Sequence, residues 1–316
     1  MKKMGLLFIF LGSITFAQTI AVIAHQPLRA MPAGEFAFPQ FSPDGSQLLF
    51  TRPGFSGLWL GDLENASVAQ LNDIPGAGYE PLFSEDGNEI CFRADEFTGI
   101  RKYSTLRKQN LATREIAILT DRERLVSPPM RMHQDRVFYS VDNRVRTFAP
   151  QTNGAKSTAA PQQNTVFAYV ENSNERIIVY QNGRSRAITP LSQTGREQYL
   201  WASASPDGQR LLFTIAGSGS FITDLDGNLL AELGRTEAPK WSPDGKWIVF
   251  MITADDGHFY TAADIWAVTS DGKTRVQLTD TSDQLELHPA WSPDMKRVAY
   301  DTLAGTIEIM EVEIND

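Results

Sequence analysis

The densest group of chemically active side chains in this sequence lies between Asp255 and Asp264, where three carboxylates and a histidine stand close together. Carboxylate oxygens are hard ligands that suit a divalent cation, and the same groups can hydrogen-bond a partner molecule. Asp255, Asp256 and His258 are therefore the candidate metal ligands. The competing interpretation is an acidic loop whose aspartates cap their own turn.

Other signatures of catalysis are missing from the sequence. The four histidines, His25, His133, His258 and His288, show no His-x-x-x-His or Cys-His spacing, so no zinc motif is present. No Gly-x-Ser-x-Gly phrase occurs, which argues against a serine hydrolase. The single cysteine, Cys91, lies in an apolar run and is expected to be a core residue. We predict no catalytic residue and no cofactor, apart from the divalent cation considered above.

A repeated phrase predicts the elements that position these side chains. Ser-Pro-Asp-Gly or a close variant follows an aromatic residue or alanine at five places, which begin at Phe41, Phe83, Ala204, Trp241 and Trp291. Proline and glycine suit a tight turn, and apolar runs between such turns indicate antiparallel strands. Four strands in each repeat is the pattern of a β-propeller blade.

The spacing of the repeats predicts the number of blades. Seven second-strand starts run from Leu48 to Val298, at intervals of about 42 residues, which is the length of a four-stranded blade. We therefore predict an all-β, seven-bladed propeller of four-stranded antiparallel blades. Residues 125–200 lack the turn phrase, so six blades with an irregular insertion stay open as an alternative. Because the last repeat lacks a fourth strand, Thr19–Ile23 is predicted to pair with it and close the ring.

The N-terminus has the pattern of a secretory signal peptide. Two lysines precede an apolar stretch, Gly5–Phe16, and small residues suited to signal peptidase end at Ala17. We assign residues 1–17 to a signal peptide and residues 18–316 to a single propeller domain. The expected location is the periplasm, with secretion beyond it as an alternative.

The charge of the chain excludes some partners. The net charge is −9, and removing the two lysines of residues 1–17 would make it −11. An acidic surface repels phosphate backbones and anionic lipid. We therefore expect no nucleic-acid partner and no stable membrane insertion.

The phrases Pro239–Phe250 and Pro289–Met295 resemble the repeat of TolB-type β-propellers. The resemblance covers nearly all of the chain after residue 17, and it is strongest at the five turn phrases. Propellers with this repeat serve as periplasmic interaction proteins, as non-catalytic domains of prolyl-oligopeptidase-like enzymes and, in a few cases, as sugar-acid lyases. TolB-type proteins also carry a further domain ahead of the propeller, for which Gln18–Phe38 leaves no room.

The resemblance implies two functions of different classes. The first is a non-enzymatic envelope protein that binds a protein, peptide or glycan. The second is a metal-assisted polysaccharide lyase or hydrolase acting at the central funnel. The repeats themselves specify the blade and not the activity.

One face of the propeller is the expected binding surface. Links between second and third strands lie on the same face as links between blades, and the Ser-Pro-Asp-Gly turns lie on the other. Mixed aromatic and charged side chains on loops are typical of interaction surfaces. Trp201, in contrast, is expected in a blade wall. The candidate binding residues are Tyr79, Glu80, Arg101, Tyr103, Tyr199, Asp255, Asp256, His258, Asp264, Glu286 and His288.

Overall fold

The structure is a computed structural model that describes residues 18–133, 136–149 and 165–315. These ranges contain twenty-six β-strands and no helix. Within them, therefore, no helix occurs that could cross a lipid bilayer. The assignment of residues 1–17 to a signal peptide lies outside the described residues.

Five of the seven sheets in the described residues have four strands. The first blade consists of β2 (Ala37–Phe41), β3 (Gln47–Arg52), β4 (Ser56–Asp62) and β5 (Ser67–Pro75). The second consists of β6 (Leu82–Phe83), β7 (Glu89–Thr98), β8 (Arg101–Asn110) and β9 (Ile116–Ile118). The fifth consists of β16 (Tyr199–Ala204), β17 (Arg210–Ile215), β18 (Gly219–Asp224) and β19 (Leu229–Gly234). The sixth consists of β20 (Glu237–Trp241), β21 (Trp247–Asp255), β22 (Tyr260–Thr269) and β23 (Arg275–Gln277).

The third and fourth blades show three strands each within the described residues. The third consists of β10 (Arg131–His133), β11 (Arg136–Val141) and β12 (Arg144–Phe148). The fourth consists of β13 (Val166–Val170), β14 (Ile177–Gln181) and β15 (Arg184–Ile188). These are the two repeats in which the turn phrase is missing. The prediction of seven blades is confirmed, and the six-bladed alternative is wrong.

The seventh blade joins the two ends of the described chain. It consists of β24 (Glu286–Trp291), β25 (Arg297–Thr302), β26 (Ile307–Asn315) and β1 (Thr19–Pro27). β1 pairs antiparallel with β26, from Thr19 opposite Asn315 to Pro27 opposite Glu308. Ile20 is buried in the cluster that contains Trp247 and Met310. The predicted closure of the ring by the N-terminal strand is confirmed.

Apolar side chains of the second strands fill the spaces between blades. Leu48, Ile90 and Phe213 are fully buried. Trp247 and Trp291 come from neighbouring blades and lie in one cluster, as predicted for packing between blades. Cys91 is also fully buried, and burial raises the pKa of its thiol to about 12. The prediction that this cysteine is a core residue is confirmed.

The repeated turns are held by the aspartate in the phrase. In the first copy, the Ser42 hydroxyl donates to Asp44 at 2.6 Å and the Ser46 N–H donates to the same carboxylate at 3.0 Å. Gly45 has a φ of 74°, a conformation that glycine adopts without steric cost. Arg297 of the seventh blade donates to the Gly45 carbonyl at 2.8 Å, so neighbouring turns also bind each other around the ring.

These turns predict a pH dependence of stability. The Ser84 hydroxyl and the Asn88 N–H and side chain hold the pKa of Asp86 at about 2. Hydrogen bonds from Ser42 and Ser46 likewise lower the pKa of Asp44. Because both pKa values lie below those of an unfolded chain, the ionised carboxylates stabilise the fold above about pH 4, and this stabilisation is lost as the pH falls toward about 2.

Urea unfolding across this pH range tests the prediction. The free energy of unfolding of the double variant Asp44→Asn, Asp86→Asn should fall less steeply between about pH 4 and 2 than that of the unchanged protein. An equally steep fall in both proteins would show that other carboxylates carry the acid sensitivity.

Candidate functional site

The propeller encloses a central channel with a volume of about 1520 Å³. The channel is lined by the innermost strands of the blades, by links that lead into them, such as residues 79–81, and by prolines of the Ser-Pro-Asp-Gly turns at its other end, such as Pro243. Cavities of this kind, formed where many elements converge, are the usual places for ligand binding. We therefore describe the position of each candidate residue relative to this channel.

Contacts between loops confirm the predicted division into two faces. The Gly78 N–H, in the link before β6, donates to the Phe55 carbonyl in the β3–β4 hairpin loop at 3.2 Å. The Leu303 N–H, in the β25–β26 loop, donates to the Leu285 carbonyl in a link between blades at 2.9 Å. We call this side the loop-rich face. It includes residues 53–55, 76–81, 99–100, 119–130, 256–259, 278–285 and 303–306.

A residue with a left-handed backbone conformation recurs where the inner strands reach the loop-rich face. Five non-glycine residues have φ between 47° and 58°, namely Phe38, Glu80, Trp201, Ala238 and His288. Proline follows four of the five, Trp201 being the exception. In β2, β16, β20 and β24 the strand register shifts at this point. Left-handed backbone at such residues costs about 1–3 kcal/mol each and tends to be kept at binding or active sites.

Four half-buried rings form a continuous row across the first, second and seventh blades, which we call the aromatic arc: Phe38, Phe55, Tyr79 and His288. The ring centroids of Phe38 and His288 are 3.9 Å apart, and those of Phe38 and Phe55 are 4.8 Å apart. Tyr79 packs edge-on against Phe55 at 4.9 Å and lies under the Arg93 guanidinium at 5.1 Å. The row is therefore held at both ends by other side chains.

The Asp301 carboxylate binds two members of the aromatic arc. Its carboxylate accepts the Phe38 N–H at 2.9 Å and contacts His288 Nδ1 at 3.1 Å. The side chain is buried, and burial raises the pKa of Asp301 while the hydrogen bond to His288 opposes that rise. One carboxylate thus fixes two left-handed residues from adjacent blades.

Two opposite charges, those of Glu80 and Lys240, line the channel. Burial raises the pKa of Glu80 and lowers the pKa of Lys240, and the attraction between the two groups opposes both shifts. The Glu80 charge, together with burial, raises the pKa of Tyr79. Both side chains are in contact with the solvent that fills the channel, and the walls of the channel surround them.

Cations outnumber carboxylates along the described lining of the channel. The cations are Arg93, Arg101, Lys102, Arg124 and Lys240, and the carboxylates are Glu80 and Glu171. Glu171 is already paired with Arg176 at 2.8 Å, a bond that lowers the pKa of Glu171. Arg93 and Lys102 are likewise paired with Asp95, at 2.9 and 3.4 Å, which leaves Arg101, Arg124 and Lys240 against Glu80. The lining therefore carries a positive excess in a chain whose net charge is −9.

Some of the sequence-predicted residues lie at this channel. Tyr79, Glu80 and Arg101 line it, and His288 belongs to the aromatic arc. Tyr103 is half-buried under the Arg122 guanidinium, 3.8 Å from its ring centre.

Two predicted rim residues lie instead inside the protein. Tyr199 is 1% exposed, and its hydroxyl donates to the Pro190 carbonyl at 2.9 Å. Burial raises the pKa of Tyr199 to about 12. Glu286 is fully buried and hydrogen-bonded to Thr279 and Thr281. The expectation that these two side chains emerge on the rim is corrected, because both are already packed and bonded.

The acidic segment forms less of a loop than the sequence suggested. β21 continues to Asp255 and β22 begins at Tyr260, so only residues 256–259 form the tip. The Asp255 carboxylate accepts the Gly257 N–H at 2.9 Å. Asp256 accepts the N–H groups of His258 and Phe259, both at 2.9 Å. These bonds match the interpretation that the aspartates cap their own turn.

The remaining carboxylate of that segment, Asp264, lies within β22 and is half-buried. Burial and the nearby Asp280 raise its pKa. Nowhere in residues 18–133, 136–149 and 165–315 do three or more His, Cys, Asp or Glu side chains converge in a way that could hold a metal ion. Asp255, Asp256 and His258 are therefore not gathered into such a group in the described residues, and their binding of a divalent cation stays a prediction.

Sequence reasoning missed several residues of the channel and of the aromatic arc. Phe38, Phe55, Lys240 and Asp301 were not among the candidates, and Trp201 was expected in a blade wall. Trp201 is 42% exposed and lines the channel, so that expectation was wrong. A recurring signal was available for Phe38, since the residue before the inner-strand proline is the left-handed one.

Large apolar side chains are exposed around the mouth on the loop-rich face. They occupy hairpin tips or the links beside them, and they are Phe97, Ile100, Leu125, Phe259, Tyr260 and Leu303. Outer strands of the blades expose five more, namely Ile23, Ile116, Ile118, Leu229 and Leu230. Exposed apolar groups that are close to each other mark interaction surfaces.

Comparison with known proteins supports the repeat assignment. No protein-family model matches the chain. It is similar to the Tol-Pal system protein TolB of Francisella tularensis subsp. holarctica (strain OSU18), with 21% identity over 267 residues that cover 81% of this chain and 54% of that protein. The resemblance to TolB-type propellers is confirmed. The chain spans about half the length of the curated relatives it matches.

Solved structures show the same fold. TolB from Acinetobacter baumannii superposes with a TM-score of 0.51 at 19% identity, covering 81% of this chain and 57% of that one. A chain of the mitotic checkpoint complex superposes with a TM-score of 0.61 at 11% identity, covering 98% and 99%. At these identities the likeness establishes the propeller fold alone.

Proposed function

We propose that this protein is a non-enzymatic binding protein of the cell envelope that holds an acidic segment of a partner protein at the loop-rich mouth of its channel. The observation that carries the proposal is the combination of exposed apolar tips with a cation-lined opening on one face. Similarity to TolB-type propellers is compatible with a binding role.

The charge of the lining favours an anionic ligand. Arg101, Arg124 and Lys240 project into a space that is partly shielded from bulk water, where ionic interactions are stronger than at an open surface. The rest of the chain is acidic and would repel the same ligand elsewhere. An acidic segment is therefore directed to the channel mouth.

The apolar tips favour a protein over a free sugar or a small anion. Ile100 and Phe259 are large, exposed and placed at the ends of hairpins that rise around the opening. A protein partner can cover such tips while its acidic segment enters the channel, so that apolar contacts surround a charged centre.

The aromatic arc favours a preformed site. Its rings pack against each other, and Asp301 fixes the backbone beneath Phe38 and the ring of His288. A site that is already ordered loses little conformational entropy on binding.

Titration with an oligo-glutamate peptide tests the proposal. Fluorescence of Trp201 and its neighbours should report binding, and affinity should fall as salt is raised because the contacts are ionic. The double variant Lys240→Glu, Arg124→Glu should bind the peptide at least about tenfold more weakly.

A charge reversal on another surface supplies the matched control. Lys273 is exposed in the β22–β23 turn, away from the channel lining. Lys273→Glu makes a charge change of the same kind and should leave affinity unchanged. Equal binding of oligo-lysine, or equal affinity in the channel variant and the control, would contradict the proposal.

A further inference from the structure

The loop-rich face carries different charges on its two sides. Its acidic side consists of residues 252–264 and 278–286, which belong to the β21–β22 hairpin and to the link that follows the sixth blade. Arg235 donates to the Thr253 carbonyl in this hairpin, and it is already paired with Glu237 at 3.0 Å. The two segments contain no lysine or arginine and six carboxylates, four of them exposed: Asp255, Asp256, Asp264, Asp280, Asp283 and Glu286.

The other side of the face holds unpaired cations. This basic side consists of residues 93–102 and 119–130, in the β7–β8 hairpin and the link that follows the second blade. It contains five arginines and lysines and four carboxylates, of which Asp121 is exposed. Arg101 and Arg124 line the channel and form no ion pair with any described side chain. The remaining carboxylates are bound by arginines or lysines, and they are Asp95, Glu96 and Glu123.

The acidic side and the basic side lie across the channel from each other. Each apolar cluster joins two successive blades, as Leu49 and Ile90 do for the first and second blades. The blades therefore follow one another around the ring in chain order. In a ring of seven, the sixth blade is three places from the second, which is the largest separation that the ring allows. The channel mouth thus lies between the two sides.

Two aromatic rings are exposed on the acidic side. Phe259 is 76% exposed and Tyr260 is 44% exposed, at the end of the β21–β22 hairpin. The faces of such rings attract lysine and arginine side chains, and the carboxylates around them attract the same cations. An acidic segment would be repelled here. The acidic side therefore favours a basic segment of a partner.

We propose that the partner segment carries two blocks of opposite charge and lies across the channel mouth, with its acidic block at Arg101 and Arg124 and its basic block on the acidic side. This inference rests on the proposed function, because the acidic block is the segment that enters the channel. The two sides would also orient the partner, since the reversed arrangement brings like charges together.

The acidic block is the stronger of the two contacts. Four carboxylates of the acidic side are exposed to solvent, where salt screens ionic contacts and each pair contributes little. The cations that line the channel are more shielded from bulk water. Once the acidic block is bound, the linked basic block is held near the acidic side at a high effective concentration, and its contacts then add to affinity.

The charge of the whole chain favours a partner protein over a second copy. Two copies placed face to face would also bring acidic and basic sides together. Each copy has a net charge of −9, however, and repulsion between like-charged molecules keeps them apart. A segment with balanced charges meets no such repulsion. The occupant we infer is therefore a segment of another protein.

The test compares two peptides with blocked ends by isothermal titration calorimetry. Both begin with a block of glutamates followed by a glycine–serine spacer, and one ends in a block of lysines while the other ends in glutamines. The lysine peptide should bind at least about tenfold more tightly at low salt. This gain should require a spacer long enough to cross the mouth, and it should shrink as salt is raised.

Charge reversal on the acidic side should remove the gain. Asp280 and Asp283 are exposed, and the double variant Asp280→Lys, Asp283→Lys should bind both peptides with similar affinity. It should bind the glutamine peptide more tightly than the unchanged protein does, because two repelling carboxylates are gone. The matched control is Glu64→Lys with Glu232→Lys, at exposed positions of the β4–β5 turn and of β19, and it should keep the gain.

Phe259→Ala tests the contribution of the exposed ring. The side chain is exposed, so the fold does not depend on it. Loss of the ring should reduce the gain from the lysine block by about two- to fivefold. Affinity for the glutamine peptide should change less than affinity for the lysine peptide.

The outcomes separate this inference from the proposed function. Equal binding of the two peptides by the unchanged protein would overturn the inference and leave the proposed function standing. Failure of both peptides to bind would overturn both. A gain that survived Asp280→Lys with Asp283→Lys would overturn the inference, because the basic block would then lie elsewhere. So would a concentration-dependent dimer in sedimentation that this variant loses, since a second copy would then cover the acidic side.

Discussion

Substitution of Ile20 by aspartate is expected to lower the free energy of unfolding by about 3–5 kcal/mol, because it places an unpaired charge in an apolar cluster. Ile20 is 4% exposed and packs near Trp247 and Met310. It also lies in the strand that closes the ring, so the loss detaches the first strand from the last blade. Urea unfolding followed by tryptophan fluorescence measures the effect.

The same strand contains the control for that experiment. Ile23 is 61% exposed, and Ile23→Asp introduces the same group at a solvated position of β1. Its effect should stay within about 0.5 kcal/mol. If both variants lost stability equally, closure of the ring by β1 would not be what stabilises the propeller.

Substitution of Asp301 by alanine is expected to cost about 2–3 kcal/mol and to disorder the aromatic arc. The change removes the acceptor of the Phe38 N–H and the partner of His288, leaving a buried donor unsatisfied. Near-ultraviolet circular dichroism should lose the signal of the stacked rings. Affinity for oligo-glutamate should fall about fivefold or more, because the preformed mouth is lost.

The variant Asp301→Asn separates the hydrogen bonds of this side chain from its negative charge. The amide oxygen can still accept the Phe38 N–H, so most of the stability and the ring signal should remain. Asp283→Ala, at an exposed position of the link before β24, is the surface control. If the Asp301→Ala variant kept both the near-ultraviolet circular dichroism signal and the affinity for oligo-glutamate, the Asp301 carboxylate would not be what holds the aromatic arc in place.

The fold could be predicted from the sequence because its repeats specify local structure. Each Ser-Pro-Asp-Gly phrase marks a turn whose aspartate bonds do not depend on distant contacts. The number of blades followed from the spacing of the repeats. Closure of the ring followed from the apolar run Thr19–Ile23, which belongs to none of the repeats and pairs with the last blade. The two blades without the phrase are those with three described strands.

The binding site could be predicted only in part because inner strands are irregular. In a regular strand, Tyr199 and Trp201 would point to the same side. The register of β16 shifts between Leu200 and Ser203, so Tyr199 is buried while Trp201 is exposed in the channel. Alternation alone cannot locate such a shift, although the proline after most left-handed residues gives a usable signal.

Loop lengths also misled the sequence reading. β7 with β8 and β21 with β22 form long hairpins that continue to Thr98 and Asp255. Segments rich in charged and small residues read as loops from sequence, but strand pairing across the hairpin keeps them extended. Asp264 therefore lies in a strand and not beside Asp255 on a loop.

A crystal structure of the protein with oligo-glutamate bound tests the central claim most directly. The expected result places the peptide at the loop-rich mouth, with carboxylates near Lys240 and Arg124 and the aromatic arc unchanged. A peptide bound on the Ser-Pro-Asp-Gly face, with the mouth empty, would contradict the claim.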